Sequence, residues 1–428
     1  MSVPLGTLPR WVNFGLLPLL NVAVAFALSG LVVLFIGENP IEAVKYLVQG
    51  ALGDGEGIAF TLYYATNFIF TGLAVVVAFL VSGLVVLFIG ENPIEAVKYL
   101  ISGALGSGEG LGFTLFYATS FMFTGLAVAV AFHAGLFNIG GEGQVYVGGL
   151  GAALAALALD RYAPWFVTVP AACIGAFAFG AAWAFIPAWL QAKRGSHIVI
   201  TTIMFNFIAA ALMVYLLVNV IKQPGNMSPQ TRLFEEGGQL PKLGWLMQLF
   251  GLDIGAAPFN VSFLIALIAA FAVWLLIWRT RFGYEIRTMG TNATAAVYAG
   301  IPYVKTVVVT MLISGGLAGM MALNPVMGDA GKLQIDFPAG AGFVGIAVAL
   351  MGRSHPVGII IASILFGVLY QGGAALAFDM PNISREVIIL IQGLVILFAG
   401  ALEHMFRPAL IALFAPKPKA AAPAARAA

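Results

Sequence analysis

Long apolar segments recur along this chain, and they restrict its fold more than any other feature of the sequence. Many of them are about 20 residues long, which is enough for a helix to cross the ~30 Å hydrocarbon core of a bilayer. Charged residues make up only 9% of the chain, whereas soluble domains carry about 25%. The alternating pattern of membrane-spanning barrel strands is absent. The sequence therefore predicts an all-α, polytopic helical membrane protein.

The apolar segments predict about ten membrane spans, the first of which is too long for the apolar part of a cleaved signal peptide. These spans are residues 11–36, 111–132, 136–159, 165–190, 198–221, 259–278, 304–325, 337–351, 357–378 and 387–405. The predicted span 337–351 is short and rich in glycine, so the alternative there is a half-helix that does not cross the whole membrane. Residues 1–36 contain the N-terminal span, and the Ala- and Pro-rich residues 416–428 are predicted to be a disordered tail.

Charge is distributed unevenly between the two sides that these spans define. If the N-terminus is inside, the inner segments hold 12 of the 20 basic residues and two acidic ones. The outer segments then hold eight basic and 15 acidic residues. Basic residues concentrate in cytoplasmic loops, so both termini are predicted to be cytoplasmic. The long outer loop 222–258 is either a contact for an extracytoplasmic partner or a passive connector.

A tandem duplication occupies the N-terminal part of the chain. Residues 29–79 match residues 82–132 at an offset of 53, and nine of the 51 positions differ. Two copies do not make a solenoid. The apolar run 60–89 between the two acidic loops either crosses the membrane once or enters and returns as a hairpin, which keeps the later loops consistent with charge. A third possibility is an inserted copy, with the second copy alone being native-like.

One carboxylate, Glu142, lies inside a predicted span within the sequence GLFNIGGEGQ. Each glycine here weakens a helix by about 1 kcal/mol relative to alanine. Unwound backbone at membrane depth is tolerated where it lines a water-filled cavity or is buried in protein, and an ionisable residue there is a candidate functional group. We therefore predict that Asn138, Glu142 and Gln144 line a polar path. The alternative is that Glu142 lies close to the cytoplasmic end of the span and caps it, or pairs with His133 or with a basic residue of a loop.

A second polar group lies in the predicted span 198–221. Thr201, Thr202 and Asn206 belong to it, and the last two share a helix face at a spacing of four residues. Asn324 in the predicted span 304–325 completes the predicted translocation path. The alternative for these residues is hydrogen bonding between helices, which is frequent in membranes. No basic residue lies well inside a span, so the path suits a neutral polar solute.

The longest basic stretch between two apolar segments is 279–305. Arg279, Arg281, Arg287 and Lys305 stand in it against the single acid Glu285. Within this stretch, residues 292–300 are predicted to form a short amphipathic helix that ends at a glycine, because a proline follows two residues later. A positive loop of this kind is cytoplasmic, and a short helix across it suits the docking of a soluble partner.

These regions resemble permease subunits of ATP-binding cassette (ABC) importers of the branched-chain amino acid, monosaccharide and nucleoside type. The resemblance covers the predicted permease core 111–406 and the first span. Residues 135–144 are similar to the GLFNIGxEGQ signature of nucleoside and simple-sugar permeases, and 195–206 to a GxxEVIxTxMxN pattern with His197 in place of the acid. In the docking loop 279–305 the matching residues are Gly283, Arg287, Gly290, Asn292, Ala295, Ala296 and Gly300. The GRSHPVG run from Gly352 is similar to a second cytoplasmic contact.

The resemblance implies a transport subunit in the cell (inner) membrane rather than an enzyme. It implies three kinds of partner: a cytoplasmic ABC ATPase, a second permease subunit that is identical or similar, and an extracytoplasmic solute-binding protein. The docking-loop residues would couple the chain to the ATPase. The implied substrate is a nucleoside or simple sugar, with a branched-chain amino acid as the alternative. ATP would be bound by the partner subunits, so the chain is expected to need no cofactor.

Catalytic and metal chemistry is not expected. The phosphate-binding pattern GxxxxGK[ST] does not occur, and the histidines at 133, 197, 355 and 404 show no HExxH spacing. Cys173 is the single cysteine, which excludes a disulfide within the chain. A proton-coupled secondary carrier with Glu142 as its relay is the runner-up function.

Overall fold

The computed structural model describes residues 80–249, 251–380, 382–383 and 387–394, together with Glu42, Lys45 and Gln49, which are helical. The predicted span 11–36, the predicted tail 416–428 and most of the predicted span 387–405 lie outside the described residues. The first copy of the repeat also lies outside them, apart from the three residues named. Of the predicted hairpin 60–89, only residues 80–89 are described.

Helices dominate the described part of the chain, whose only β-structure is two isolated bridges. The helices are α1 (Leu80–Phe88), α2 (Pro93–Leu105), α3 (Gly108–His133), α4 (Gly141–Leu159), α5 (Trp165–Arg194), α6 (Ile198–Asn219), α7 (Gly244–Gln248), α8 (Ser262–Arg279), α9 (Arg281–Thr291), α10 (Ala293–Tyr298), α11 (Tyr303–Met320), α12 (Ala341–Met351) and α13 (Pro356–Asp379). A π-helix, Leu323–Asp329, continues the direction of α11.

Seven helices of the described part are long and apolar enough to cross a membrane. They are α3, α4, α5, α6, α8, α11 with its π-helical extension, and α13. In addition, α1 and α2 form a pair bent by 116°, which is either a broken span or a re-entrant loop. The predicted helical membrane class is thus confirmed, with seven clear spans in these ranges.

Two predicted spans become helical several residues after their predicted first residue. The span predicted from residue 136 begins as helix only at Gly141, because Gly135 adopts a left-handed conformation (φ +70°) and ends the preceding turn. The span predicted from residue 337 begins as helix only at Ala341 and has 11 residues, so the half-helix alternative is correct. In both places the chain at membrane depth is partly non-helical.

Helix α3 lies at the centre of the packing. Its composition is apolar on all faces, so it has no amphipathic stripe and is expected to be buried. Eighteen of its 26 residues are buried, among them Phe121, Phe123 and Leu126. Gly125 and Gly345 let α3 and α12 approach closely, because a Cβ at either position would overlap the facing helix.

Glycine pairs bring α4, α5 and α11 into backbone contact. A Cβ on Gly148 would overlap the Gly319 backbone, and one on Gly180 would overlap the carbonyl of Gly315. Membrane helices gain little from apolar burial against one another, since lipid tails are equally apolar. Close backbone packing through small residues is therefore what holds these three helices together.

The loop 222–258 is attached to the end of the bundle opposite the Arg287 loop. Asp160, at the C-terminus of α4, accepts hydrogen bonds from Arg232 at 2.7 and 2.8 Å and from the Glu235 amide at 2.9 Å. The Asp160 side chain is fully buried, and that of Arg232 is 26% exposed. Burial raises the pKa of Asp160, but the Arg232 hydrogen bonds, the amide and the guanidinium charge outweigh it and lower the pKa below its usual value.

We predict that Asp160→Asn loosens this loop. The lost pair is expected to cost about 2 kcal/mol, below the ~3–5 kcal/mol of a fully buried pair because Arg232 keeps part of its side chain in water. The wild-type contribution should be fully present above about pH 4, near the unfolded pKa, and disappear as pH falls through the lower folded pKa. Trypsin cleavage at Lys222 and Lys242 measures the opening, and equal cleavage rates for variant and wild type would refute the prediction.

Candidate translocation site and coupling loop

The non-helical segment before α4 is fixed by a pair of amide side chains. Asn138 Nδ2 donates to Gln144 Oε1 at 3.0 Å and to Ser314 Oγ at 2.9 Å, and Gln144 Nε2 donates back to Asn138 Oδ1 at 3.2 Å. Asn138 Oδ1 also accepts from the Gly140 amide at 2.9 Å. Ser314 in turn donates to the Ala127 carbonyl at 2.6 Å. These buried bonds join α3, α4 and α11 at one level of the bundle.

Asn206 on α6 completes the same attachment. Its Oδ1 accepts from the Gly143 amide and its Nδ2 donates to the Ile139 carbonyl, both at 2.9 Å. Thr202 is buried and donates to the Ile198 carbonyl of its own helix. Thr201 is half-buried and likewise bonds within α6. Of the three residues predicted on this helix, only Asn206 therefore hydrogen-bonds to another element in the described part of the chain.

Asn324 holds a second buried network on the side of the bundle away from the Arg287 loop. Its Nδ2 donates to the Phe116 carbonyl at 2.8 Å and to Ser120 Oγ at 2.9 Å. Its Oδ1 accepts from Asn260 Nδ2 and from Ser262 Oγ, both at 2.9 Å. The π-helix, α3 and the start of α8 are joined through this one side chain.

Glu142 bonds to the start of the half-helix α12. Its two carboxylate oxygens accept from the amides of Gly340 and Gly342, each at 2.9 Å. The first amides of a helix have no partner within the helix and carry partial positive charge, so a carboxylate is well placed there. The predicted alternative pairing with His133 is wrong, since the Nε2 atom of that histidine lies 3.0 Å from the Ser354 carbonyl.

The predicted path residues therefore fall into two kinds. Asn138, Gln144, Asn206 and Asn324 are buried and bonded to neighbouring elements, and Thr202 is buried within its own helix. Glu142 is half-buried and lies beside a part of the surface that the sequence did not indicate. That surface contains Asp336, Ala339 and Phe343, all exposed. Asp336 directly precedes the predicted span 337–351, and its Oδ1 accepts from Tyr146 of α4 at 2.9 Å.

The loop 279–305 contains two helices. Thr280 begins α9 by accepting from the Gly283 amide, and Asn292 begins α10 by accepting from the Ala295 amide, each at 3.0 Å. Gly300 follows α10 in a left-handed conformation (φ +84°). The predicted short helix within 292–300 is thereby confirmed as Ala293–Tyr298, with Asn292 as its cap.

The remaining predicted coupling residues shape this loop or pack it against the bundle. A Cβ on Gly283 would overlap carbonyls of α8, and one on Gly290 would overlap the His133 carbonyl at the end of α3. Ala296 is buried, whereas Ala295 is exposed. Arg287 is half-buried, and its Nε atom is buried with no hydrogen-bond partner among the described residues.

Large exposed side chains of the same loop were not singled out from the sequence. Tyr298 is 90% exposed, and Tyr284 and Val297 are more than half exposed. Tyr284 follows Arg281 by three residues, and Val297 and Tyr298 belong to the short helix of the same basic loop, so the combination of aromatic and basic residues was the available signal for a docking role.

The run from Gly352 lies against the end of α3. The Trp278 ring contacts two histidines. It meets His133 edge to face, with ring centroids 5.1 Å apart, and His355 at a tilt, with centroids 5.0 Å apart. Arg353 and Ser354 adopt left-handed conformations although neither is glycine. Since Gly290 of α9 also packs on His133, the two loops that resemblance assigns to ATPase contact meet at this histidine.

Within the described ranges no group of three or more His, Cys, Asp or Glu residues could hold a metal ion. The functional geometry thus consists of a set of buried amides, a carboxylate at a half-helix, and an exposed two-helix loop.

Comparison of the sequence with known proteins shows the family to which the chain belongs. The family described as permease component of the branched-chain amino acid transport system matches residues 110–400. The chain is 32% identical to the glucose ABC transporter permease protein TsgB13 of Haloferax volcanii, over 78% of this chain and 87% of that protein. It is 33% identical to the guanosine ABC transporter permease protein NupP of Bacillus subtilis, over 77% and 92%. The nucleoside permease NupB of Lactococcus lactis is 32% identical over 76% and 88%. No solved structure gives a significant match.

The chain therefore belongs to this family of ABC transporter permeases. It is a transport subunit and a multi-pass protein of the cell membrane. Permeases of the family work together with ATPase and solute-binding subunits.

We predict that Glu142→Ala destabilises the bundle more than Glu142→Gln. Alanine removes both acceptors for the amides of α12, whereas glutamine keeps one, and bonds to a charged group contribute about 1.5–3 kcal/mol each. The apparent Tm of the purified protein in detergent should fall in the order wild type, Gln, Ala. Glu109→Ala is the control, because Glu109 is an exposed carboxylate of α3 and its loss should shift the free energy of unfolding by at most about 0.5 kcal/mol. Equal Tm values for Glu142→Ala and the control would contradict the prediction.

Proposed function

We propose that this chain is the membrane-spanning subunit of an importer for a neutral, hydroxyl-rich solute, namely a nucleoside or a simple sugar. One observation carries the proposal. Over about three quarters of its length, the chain shares about one third of its residues with permeases named for glucose, guanosine and nucleosides. The chain would pair with a second permease subunit, and ATP would be bound by cytoplasmic ATPases rather than by the chain itself.

Charge supports the orientation of this importer. The basic end of the bundle, which carries Arg279, Arg287, Lys305 and Arg353, would be cytoplasmic. The loop 222–258, fastened by Asp160 at the other end, would then face the solute-binding protein.

The composition of the path supports a neutral solute over an anionic one. Glu142 and Asp336 lie near each other at the candidate path, and no basic side chain among the described residues forms an ion pair with either. A branched-chain amino acid, the alternative substrate, carries both a carboxylate that this acidic pair repels and an ammonium group that it attracts, so the pair does not decide against it. The proton-coupled carrier gains no support, because both Glu142 oxygens already accept backbone amides.

The exposed face of the loop 279–305 would dock the ATPase. Tyr298 and Val297 of α10 project from the basic end, and exposed aromatic residues next to charges are frequent anchors of protein interfaces. The residues predicted for coupling would act beneath this face: Asn292 and Gly300 delimit α10, and Gly290 seats α9 on α3.

Purification from native membranes tests the function and the docking face together. The tagged chain in mild detergent should retain an ABC ATPase in stoichiometric amount, and Tyr298→Ala should weaken this association about 30-fold if it removes an anchor worth about 2 kcal/mol. Tyr162→Ala is the matched control, because Tyr162 is 87% exposed at the opposite end. A wild-type chain that is folded but purifies alone would overturn the proposed function. Equal ATPase retention by the two variants would overturn only the docking face.

We predict that Arg287→Glu uncouples transport without preventing membrane insertion. The substitution places a carboxylate at the junction of α9 with the bundle, where the guanidinium Nε is already buried. Solute uptake per ATP hydrolysed, measured in vesicles with the reconstituted complex, should fall at least about tenfold, the effect of ~1.4 kcal/mol. Lys98→Glu makes the same charge change at an exposed position of α2 and should have little effect. Equal ATP-driven uptake by Arg287→Glu and wild type would refute the prediction.

A further inference from the structure

Residues 330–355 join the π-helix to α13, and this crossing is helical only in its second half, where α12 lies. After Asp329, residues 331–334 pair with the long loop: the Phe234 amide donates to the Gly331 carbonyl, and the Thr231 amide to the Leu333 carbonyl. The chain then continues without helix to Gly340, where α12 begins. Asp336 and Ala339 have φ values of 59° and 47°. The first half of this crossing is therefore an irregular segment in a left-handed conformation at two non-glycine residues.

Contacts with α4 give the depth of this segment. The Asn138 network bonds to the Ala127 carbonyl through Ser314, and Ala127 lies six residues, or about 9 Å, before the end of α3. Tyr146, the partner of Asp336, lies one turn beyond the start of α4 and about 3 Å further along than Gln144. The Tyr146 backbone is thus about 12 Å from the basic end, and Asp336, within hydrogen-bond reach of the Tyr146 hydroxyl, lies inside a ~30 Å hydrocarbon core.

An exposed carboxylate at this depth restricts what the surface can face. Asp336 is exposed, Tyr146 occupies one of its oxygens, and no described residue bonds the other. Ionisable residues at membrane depth face the bundle interior or a water-filled cavity rather than lipid. By contrast, α8 exposes an apolar stripe of Leu264, Ile268, Phe271 and Leu275, as a lipid-facing helix would. The Asp336 surface is therefore not the lipid face.

The neighbours of Asp336 add an aromatic wall. Phe343, the third residue of α12, is 48% exposed, and Ala339, which lies between it and Asp336 in the sequence, is exposed as well. Phe337 is buried against Tyr146, with ring centroids 5.6 Å apart, which holds the turn in place. A carboxylate accepts hydrogen bonds from hydroxyl groups, and an aromatic face packs on the apolar side of a flat or cyclic solute.

We propose that Asp336 and Phe343, with Glu142 behind them, form the solute-contacting wall of the translocation path. Asp336 accepts hydrogen bonds from hydroxyl groups of the solute, and Phe343 covers its apolar face. The acidic pair disfavours anions, so phosphorylated sugars and nucleotides are excluded while neutral polyhydroxyl compounds pass. This assignment rests on the proposed function for the substrate class, but the position of the wall does not depend on the substrate.

Cysteine accessibility tests the wall independently of any substrate. Cys173 is the only cysteine, so single-cysteine variants are built on Cys173→Ala in the whole complex. Ala339→Cys and Phe343→Cys should react with a charged, membrane-impermeant thiol reagent at rest or during ATP turnover. Met227→Cys, at a position 97% exposed in the outer loop, is the positive control, and Ile268→Cys on the apolar stripe should not react. The wall is overturned if neither Ala339→Cys nor Phe343→Cys reacts in any state while Met227→Cys does.

Uptake tests the role of the carboxylate. Asp336→Asn keeps the size and tolerates the left-handed conformation, which asparagine adopts readily, but it removes the charge. Uptake of labelled guanosine or glucose, whichever the wild type transports, should fall at least about tenfold, as expected for bonds to a charged group. Asp329→Asn, at an exposed carboxylate earlier in the same crossing, should stay within about twofold of wild type.

The possible outcomes separate the two claims. Uptake by Asp336→Asn equal to that of Asp329→Asn overturns hydroxyl recognition by Asp336. If the wild-type complex transports neither guanosine nor glucose, the proposed function is contradicted. The reactivity of the cysteine variants still decides in that case whether this surface lines a water-filled path.

Discussion

The bonds between Glu142 and the first amides of α12 are the interaction on which the central part of this structure depends. Backbone amides at membrane depth need an acceptor, because lipid offers none. A crossing that is half irregular and half helical leaves such amides at Gly340 and Gly342, and the Glu142 carboxylate accepts from both. Glu142 can reach them because the chain before α4 is unwound and held by Asn138. The broken crossing and the unwound start of α4 therefore stabilise one another.

The polar residues in the spans divide according to whether the protein itself satisfies them. Asn138, Asn206 and Asn324 use their side-chain bonds to join helices that otherwise touch through glycine and apolar contacts. Such bonds fix the arrangement of the bundle and leave little capacity for a solute. Asp336 is the contrasting case, since it stays exposed with one oxygen bonded. A transported solute needs hydrogen-bonding groups that are not already engaged, which favours the exposed carboxylate over the buried amides.

Helix α12 joins the two functional regions of the molecule. Left-handed, non-glycine residues stand at both of its ends, with Asp336 and Ala339 before it and Arg353 and Ser354 after it. The Ser354 carbonyl contacts His133, on which Gly290 of the coupling loop is also seated. Backbone strain of this kind persists only where surrounding contacts hold it. The half-helix thus makes a short, rigid connection of 11 residues between the basic end and the middle of the bundle.

The sequence by itself determined the helical membrane class, most span positions and the short helix capped by Asn292, because segment length, apolarity and capping residues are local properties. It began the span of α4 at residue 136, whereas the helix begins at Gly141, because glycine-rich segments leave the path of the backbone open. The tertiary structure decided which residues meet. Glu142 and Gly340 are 198 positions apart, and Tyr146 and Asp336 are 190 apart. Whether a polar group in a span is engaged or exposed depends on such distant partners, and no local pattern specifies them.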